Sequence, residues 1–145
     1  MSGDLLEPEV GDALPEREVE WIASRLREFN ETVTPVDYRP LSVVIRNDAG
    51  QIIGGLTGKT FWNYLFVIIL WVDENHRGSG IGSRLLEAAE QEAVTRGCGY
   101  VQLDTYSFQA LPFYQRLGYE EFGRIDGFAG GHERSYLRKV LRPGN

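Results

Sequence analysis

The residues best able to do chemistry lie in one short run, Val72-Asp73-Glu74-Asn75-His76-Arg77-Gly78-Ser79-Gly80-Ile81-Gly82-Ser83. An apolar, strand-like stretch enters it, three glycines recur through it, and an amphipathic helical pattern leaves it. The first N–H groups of a helix have no partner within the helix, and the helix dipole is positive there. Glycines let an anion approach the backbone, and Arg77 adds a fixed positive charge. The combination is a phosphate-binding device. A tight turn alone would use the glycines but not the arginine. Two common phosphate ligands fit poorly. Ser83-Arg84 does not supply the Lys-Ser/Thr pair of a P-loop. A dinucleotide fingerprint has Gly78 and Gly80 in place but needs glycine where Ser83 stands, although Asp104 at the end of the next strand could mimic its ribose-binding acid. That fold also starts from the first strand of an open parallel sheet, whereas three antiparallel strands are expected before this loop.

The rest of the composition narrows the classes. The chain has 145 residues, which gives one domain over 1–145. It is 42% hydrophobic and 25% charged, ordinary values for a globular protein. Residues 1–20 hold seven acidic groups against Arg17, so the net charge of −6 sits in that segment and the body is neutral. Without a basic stripe, a nucleic-acid partner is disfavoured. Cys98 is the single cysteine, and with two histidines it cannot build a Cys/His zinc site, so no metal is expected. Cys98 also follows a helix end away from the glycine loop, which argues against a nucleophile. The longest apolar run, residues 65–72, is far short of the ~20 residues a membrane helix needs. With no signal segment and no disulfide, the expected compartment is cytoplasmic.

The elements that must position the loop follow from periodicity. Residues 4–10 suggest a short first strand. Pro15, Glu16 and Glu18 start a helix, and Val19, Ile22, Leu26 and Phe29 carry it over residues 16–30. Residues 41–46, 51–57 and 62–72 read as an antiparallel meander. Gly54 and Gly55 suggest a bulge or a close neighbour. The third strand lacks alternation, as if buried on both faces. A helix from Ile81 stops at Gly97, and residues 100–104 form a strand parallel to the third, reached by a right-handed crossover. Residues 107–117 read as a short helix. Residues 119–125 and 135–141 are two closing strands, joined by a loop holding Gly127, Gly130 and Gly131. The fold class is α/β: a mixed sheet of six or seven strands with helices on both faces.

Arg77-Gly78-Ser79-Gly80-Ile81-Gly82 resembles the Arg/Gln-x-x-Gly-x-Gly/Ala signature of the GCN5-related N-acetyltransferases, whose loop grips the pyrophosphate of acetyl-CoA. Phe113-Tyr114-Gln115-Arg116-Leu117-Gly118-Tyr119 is similar to the family's Phe-Tyr-x-x-x-Gly-Phe/Tyr segment. The spacing between the two also fits, and the resemblance covers nearly the whole chain. It implies acetyl-CoA as co-substrate, held by Arg77, Gly78, Ser79, Gly80, Ile81, Gly82 and Ser83. It implies that the long central strand splays from its parallel neighbour, so that the backbone of Leu70, Trp71 and Val72 pairs with the pantetheine arm. The Leu70 N–H would then polarise the thioester carbonyl, and Tyr114 would protonate the departing thiolate. Ser107 would contact the pantetheine or cap the short helix.

Many members carry a glutamate early on the central strand, and Trp62-Asn63-Tyr64-Leu65 has no carboxylate. The candidates for the base are Asp104 first, then Tyr106 and His132. Asp126 and Glu133 lie in the expected last loop, and a water chain is the remaining option. The implied reaction is direct attack of an amine on the thioester in a ternary complex. The acceptor is a small-molecule or peptide amine, and a homodimer is left open. The missing carboxylate keeps a second reading in play, a non-catalytic acyl-CoA-binding module on the same fold.

Overall fold

The structure, a computed structural model, describes residues 6–141. They divide into two compact units that meet between Val36 and Asp37 in sequence. In the first, α1 runs Glu16–Glu31. The Pro15 carbonyl accepts from the Glu18 and Val19 amides, and Glu16 and Glu18 lie in the positive first turn. The expected strand over residues 4–10 does not form over residues 6–10, and residues 4 and 5 lie outside the described residues.

The second unit holds β1 (Arg39–Arg46), β2 (Ile52–Phe61), β3 (Tyr64–Val72), α2 (Ile81–Thr95), β4 (Tyr100–Tyr106), α3 (Leu111–Arg116), β5 (Glu120–Phe128) and β6 (His132–Val140). The strands form one six-stranded sheet in the order β1-β2-β3-β4-β6-β5. The antiparallel meander and the parallel β3–β4 pair are as expected. The meander's second turn differs. Trp62 and Asn63, with φ of 49° and 74°, make a two-residue hairpin, so β2 extends to Phe61 and β3 starts at Tyr64. The last hairpin is also tighter than expected, and it places Asp126 in β5 and His132 and Glu133 at the start of β6.

Val101 and Leu103 of β4, Leu65 of β3, Leu137 of β6 and Leu85, Leu86 and Ala89 of α2 make the core. Each fully buried leucine contributes about 1.5–3 kcal/mol. The helices α2 and α3 share one face of the sheet. Phe113 of α3 sits against Gly82 of α2, and the Tyr119 hydroxyl donates to Glu90 at 2.7 Å. Lys139 donates to the other Glu90 oxygen at 2.9 Å, so this carboxylate ties α2 to both β6 and the start of β5. Gly54 confirms the close-neighbour expectation. A Cβ there would lie 2.7 Å from Ile81 Cγ2.

Two irregularities open the sheet. β3 pairs with β4 only where Tyr64, Leu65 and Phe66 face Tyr100, Val101 and Gln102. β4 then stays with β6 as far as Tyr106, and β3 departs from it. Against β2, Thr57 faces Ile69 and Gly58 faces Val67, so Ile68 is an extra residue, a β-bulge. The bulge resets the side-chain phase. Leu65 and Val67 face the core before it, and Leu70 and Val72 pack against the core after it. Ile68, Ile69 and Trp71 are exposed. The apolar run is therefore not buried on both faces. Its second half is one wall of a cleft.

Candidate functional site

The wedge between β3 and β4 is the site. It has two lobes, of about 650 Å³ and about 530 Å³. Leu70, Val72, Arg77, Ala110 and Tyr114 line both, so the lobes are continuous.

The smaller lobe is built on the glycine loop. Asp73 opens a single turn of 3₁₀ helix, Glu74–His76. Its carboxylate accepts from the Asn75 amide at 3.2 Å and meets His76 Nδ1 at 3.0 Å. The loop glycines divide their work. Gly78 and Gly80 have φ of 82° and 83°, and a Cβ on either would meet no atom within 4 Å. They set the left-handed backbone and leave open space beside it. Gly82 instead lets α3 approach, because a Cβ there would lie 3.1 Å from the Phe113 ring. No side chain caps the N-terminus of α2 at Gly80, so its first amides face the lobe without an internal acceptor. Ser79 turns its hydroxyl to the His76 carbonyl, and Ile81 buries its side chain in the core. Ile81 lines the lobe, as do Gly78, Gly80, Gly82 and Ser83, whereas Ser79 does not. Arg77 bends back to the Val72 carbonyl at 3.4 Å, and Arg116 of α3 supplies a second cation from the opposite wall. Two guanidinium groups and a row of amides around open space fit a pyrophosphate.

Leu70, Trp71 and Val72 form the rim of the gap. The Asp73 amide donates to Ile53 of β2 at 2.8 Å. By the alternation of an extended strand, the Leu70 and Val72 amides turn the other way, toward the gap that β4 has left.

Tyr114 stands where the lobes join and is 9% exposed. Burial, then the charge of Asp104, pushes its hydroxyl above the ordinary tyrosine range. Its hydroxyl lies beside the gap. Cys98 is buried, and desolvation first and Asp37 second push its thiol up, which leaves it inert.

Asp104 lines the larger lobe. Arg134, across the β4–β6 ladder, holds its Oδ1 at 2.8 and 2.9 Å. Tyr106 and Phe108 line the same lobe. Ser107 does not. Its hydroxyl accepts from the Glu133 amide at 3.0 Å and meets His132 Nδ1 at 3.0 Å. Nor does it cap a helix, because α3 starts only at Leu111 after Ala110. The Ser107 amide donates to the Glu133 carbonyl, and this lock onto β6 holds residues 107–110 in a turn. His132 is therefore tied to Ser107, and Glu133 pairs with Arg124 at 3.5 Å. Among the described residues no cluster of His, Cys, Asp and Glu could hold a metal, and no helix is long and apolar enough to cross a membrane.

Sequence reasoning missed Arg116, Ile68, Ile69 and Phe108. Arg116 lies inside the Phe-Tyr segment and could have been found there. The others become site residues only through the bulge and the turn.

Comparison with known proteins agrees with this geometry. Residues 9–119 match the Acetyltransferase (GNAT) family. The chain is 37% identical to acetyltransferase Atu2258 of Agrobacterium fabrum over 133 residues, 90% of this chain and 94% of that one. It is 42% identical to blasticidin-S acetyltransferase of Streptomyces morookaense over 113 residues, 74% and 83% of the two chains. The crystal structure of an acetyltransferase from Bacillus cereus superposes with a TM-score of 0.80 at 34% identity, covering 92% of this chain and 98% of that one. A family match over most of the chain, relatives above 30% identity and a shared fold all point the same way, and the chain belongs to the GNAT acetyltransferase family.

Proposed function

We propose that this acyltransferase moves the acetyl group of acetyl-CoA to a primary amine by direct attack in a ternary complex. The observation that carries the reading is the continuity of the two lobes through Tyr114. One lobe offers anion-binding amides and two arginines. The other offers an apolar wall and a carboxylate. The co-substrate supplies an activated thioester. The protein's own work is to grip its phosphates with the 77–83 loop and Arg116 and to present the Leu70 amide to the thioester carbonyl. It then passes protons at the two ends of the transfer.

The amine nitrogen forms the new bond to carbon as the carbon–sulfur bond breaks. Asp104 takes the amine proton on Oδ2, while Arg134 holds Oδ1 and orients the group. Tyr114 gives its proton to the departing sulfur. Each then re-equilibrates with water. The relative named for blasticidin-S supports a small-molecule acceptor.

The test is acetyl-CoA turnover with a broad amine panel, with the N-acetyl product identified by mass spectrometry. Wild type should acetylate at least one amine, and Gly80→Asp should lose CoA affinity by at least roughly tenfold, because a carboxylate then occupies the anion site. Gly50→Asp, at a similar φ of 80° but in the β1–β2 turn, controls for backbone strain and should bind CoA normally. A Gly80→Asp variant that folds and binds CoA like wild type would remove the phosphate site from the loop. A wild type that binds CoA but acetylates nothing would favour the non-catalytic module.

A further inference from the structure

The larger lobe is walled in an unusual way for a site that accepts a polar amine. Ile68, Ile69 and Trp71 are exposed along one side, and Phe108 is 61% exposed on the other. Phe108 ends a stack of flat groups. Its ring lies parallel to Tyr106, 9° between planes and 5.5 Å between centroids. The Arg134 guanidinium lies 5.4 Å from the Tyr106 centroid and 5.2 Å from that of Tyr136. Phe128 and His132 meet Tyr106 and Phe108 edge-on, at 5.2 and 4.7 Å, and brace the stack from the side. Such bracing fixes the ring planes before any ligand arrives. The one carboxylate in this lobe is already balanced by Arg134, so there is no surplus negative charge to select a polycation.

We propose that the acceptor carries its amine beside an aromatic or heteroaromatic ring, which is held by the Phe108–Tyr106 stack at the mouth of the cleft while the amine reaches toward Asp104. The inference rests on the proposed function and adds the substrate class. Flat π-systems gain from offset stacking and edge contacts beyond the area they bury, which a saturated ring of equal size does not. A linear polyamine would leave the apolar walls uncovered and find no surplus charge.

The experiment compares 2-phenylethylamine with 2-cyclohexylethylamine and spermidine, using the full chain and acetyl-CoA. Calorimetric binding of each amine to the CoA-loaded protein is measured in parallel. The phenyl compound should show a kcat/KM and an affinity above the cyclohexyl compound by roughly three- to tenfold, the value of one aromatic contact. Phe108→Leu should abolish that preference through KM with kcat little changed, and Phe108→Trp should restore it. Equal values for the two rings, a preference for spermidine, or an unaltered preference in Phe108→Leu would overturn the proposal. If the phenyl amine binds through Phe108 while neither it nor any amine of the broad panel is acetylated, the ring site stands and the proposed transfer falls. If other amines are acetylated without this preference, the transferase reading stands and the ring site falls.

Discussion

In the proposed reaction Tyr114 and Asp104 move the protons, and their surroundings suit opposite tasks. Tyr114 is enclosed by α3 and the gap, with Phe113 and Tyr119 edge-on to it at 5.2 and 6.0 Å. Its hydroxyl is pushed up by burial and then by Asp104, which suits the proposed role of proton donor. Tyr114→Phe keeps the packing and removes the proton. We expect unchanged CoA affinity by calorimetry and a chemical step slower by roughly 10²-fold in single turnover. An equal single-turnover rate would take Tyr114 out of the mechanism. Arg134 holds Asp104 Oδ1, and in the proposed reaction the carboxylate takes the amine proton. In wild type kcat/KM should rise with pH as the amine or its base gives up a proton. Asp104→Asn should lower that rate by roughly 10²-fold and displace the rise, with CoA binding intact, whereas His132→Ala should keep the profile. If Asp104→Asn keeps both rate and profile, deprotonation belongs to water or to the free amine equilibrium.

At the scale of elements, the site exists because β3 is irregular twice, at the bulge and at its separation from β4. Gly58 permits the first. A Cβ there would lie 2.3 Å from the Phe66 carbonyl oxygen, inside any real contact, and that atom is backbone. Gly58→Ala should cost roughly 1–3 kcal/mol in a urea titration and lower activity with it. Gly123→Ala, with nothing within 4 Å and an ordinary φ, should stay within about 0.5 kcal/mol of wild type. Equal stabilities for the two variants would show that Gly58 is not a packing constraint. Much of this scale was legible beforehand. Pro15 and Gly97 mark helix ends because one lacks a donor and the other takes a left-handed φ. The glycine loop is legible as a phosphate device from its own residues, whereas Tyr114 is singled out only through the family resemblance. The Trp62-Asn63 turn is hidden, because Asn63 favours a positive φ but Trp62 sits within an aromatic and β-branched run that reads as continuous strand. The Asp104–Arg134 pair is hidden too. It joins residues 30 apart and depends on the β4–β6 register, which sets Tyr106 opposite Arg134. The apolar run of β3 looked doubly buried because hydrophobicity alone does not tell a core strand from the wall of an apolar cleft.

For the molecule as a whole, stability and chemistry share the α2–α3 face. Tyr119, next to Tyr114, is buried and donates to Glu90. Desolvation, then the Glu90 charge and hydrogen bond, push its folded-state pKa far above the unfolded value near 10. A group raised in this way contributes fully below its unfolded pKa and less as pH climbs past it. Stability measured in urea should therefore fall above about pH 10 more steeply in wild type than in Tyr119→Phe, and parallel curves would contradict the account. In the proposed reaction one cleft holds both substrates at once and passes acetyl directly between them. Initial velocities measured over a matrix of acetyl-CoA and acceptor amine concentrations test this most directly. Direct transfer gives intersecting double-reciprocal lines, with no CoA released before the amine is added. Parallel lines, or a burst of CoA and an acetylated protein in the absence of amine, would contradict it.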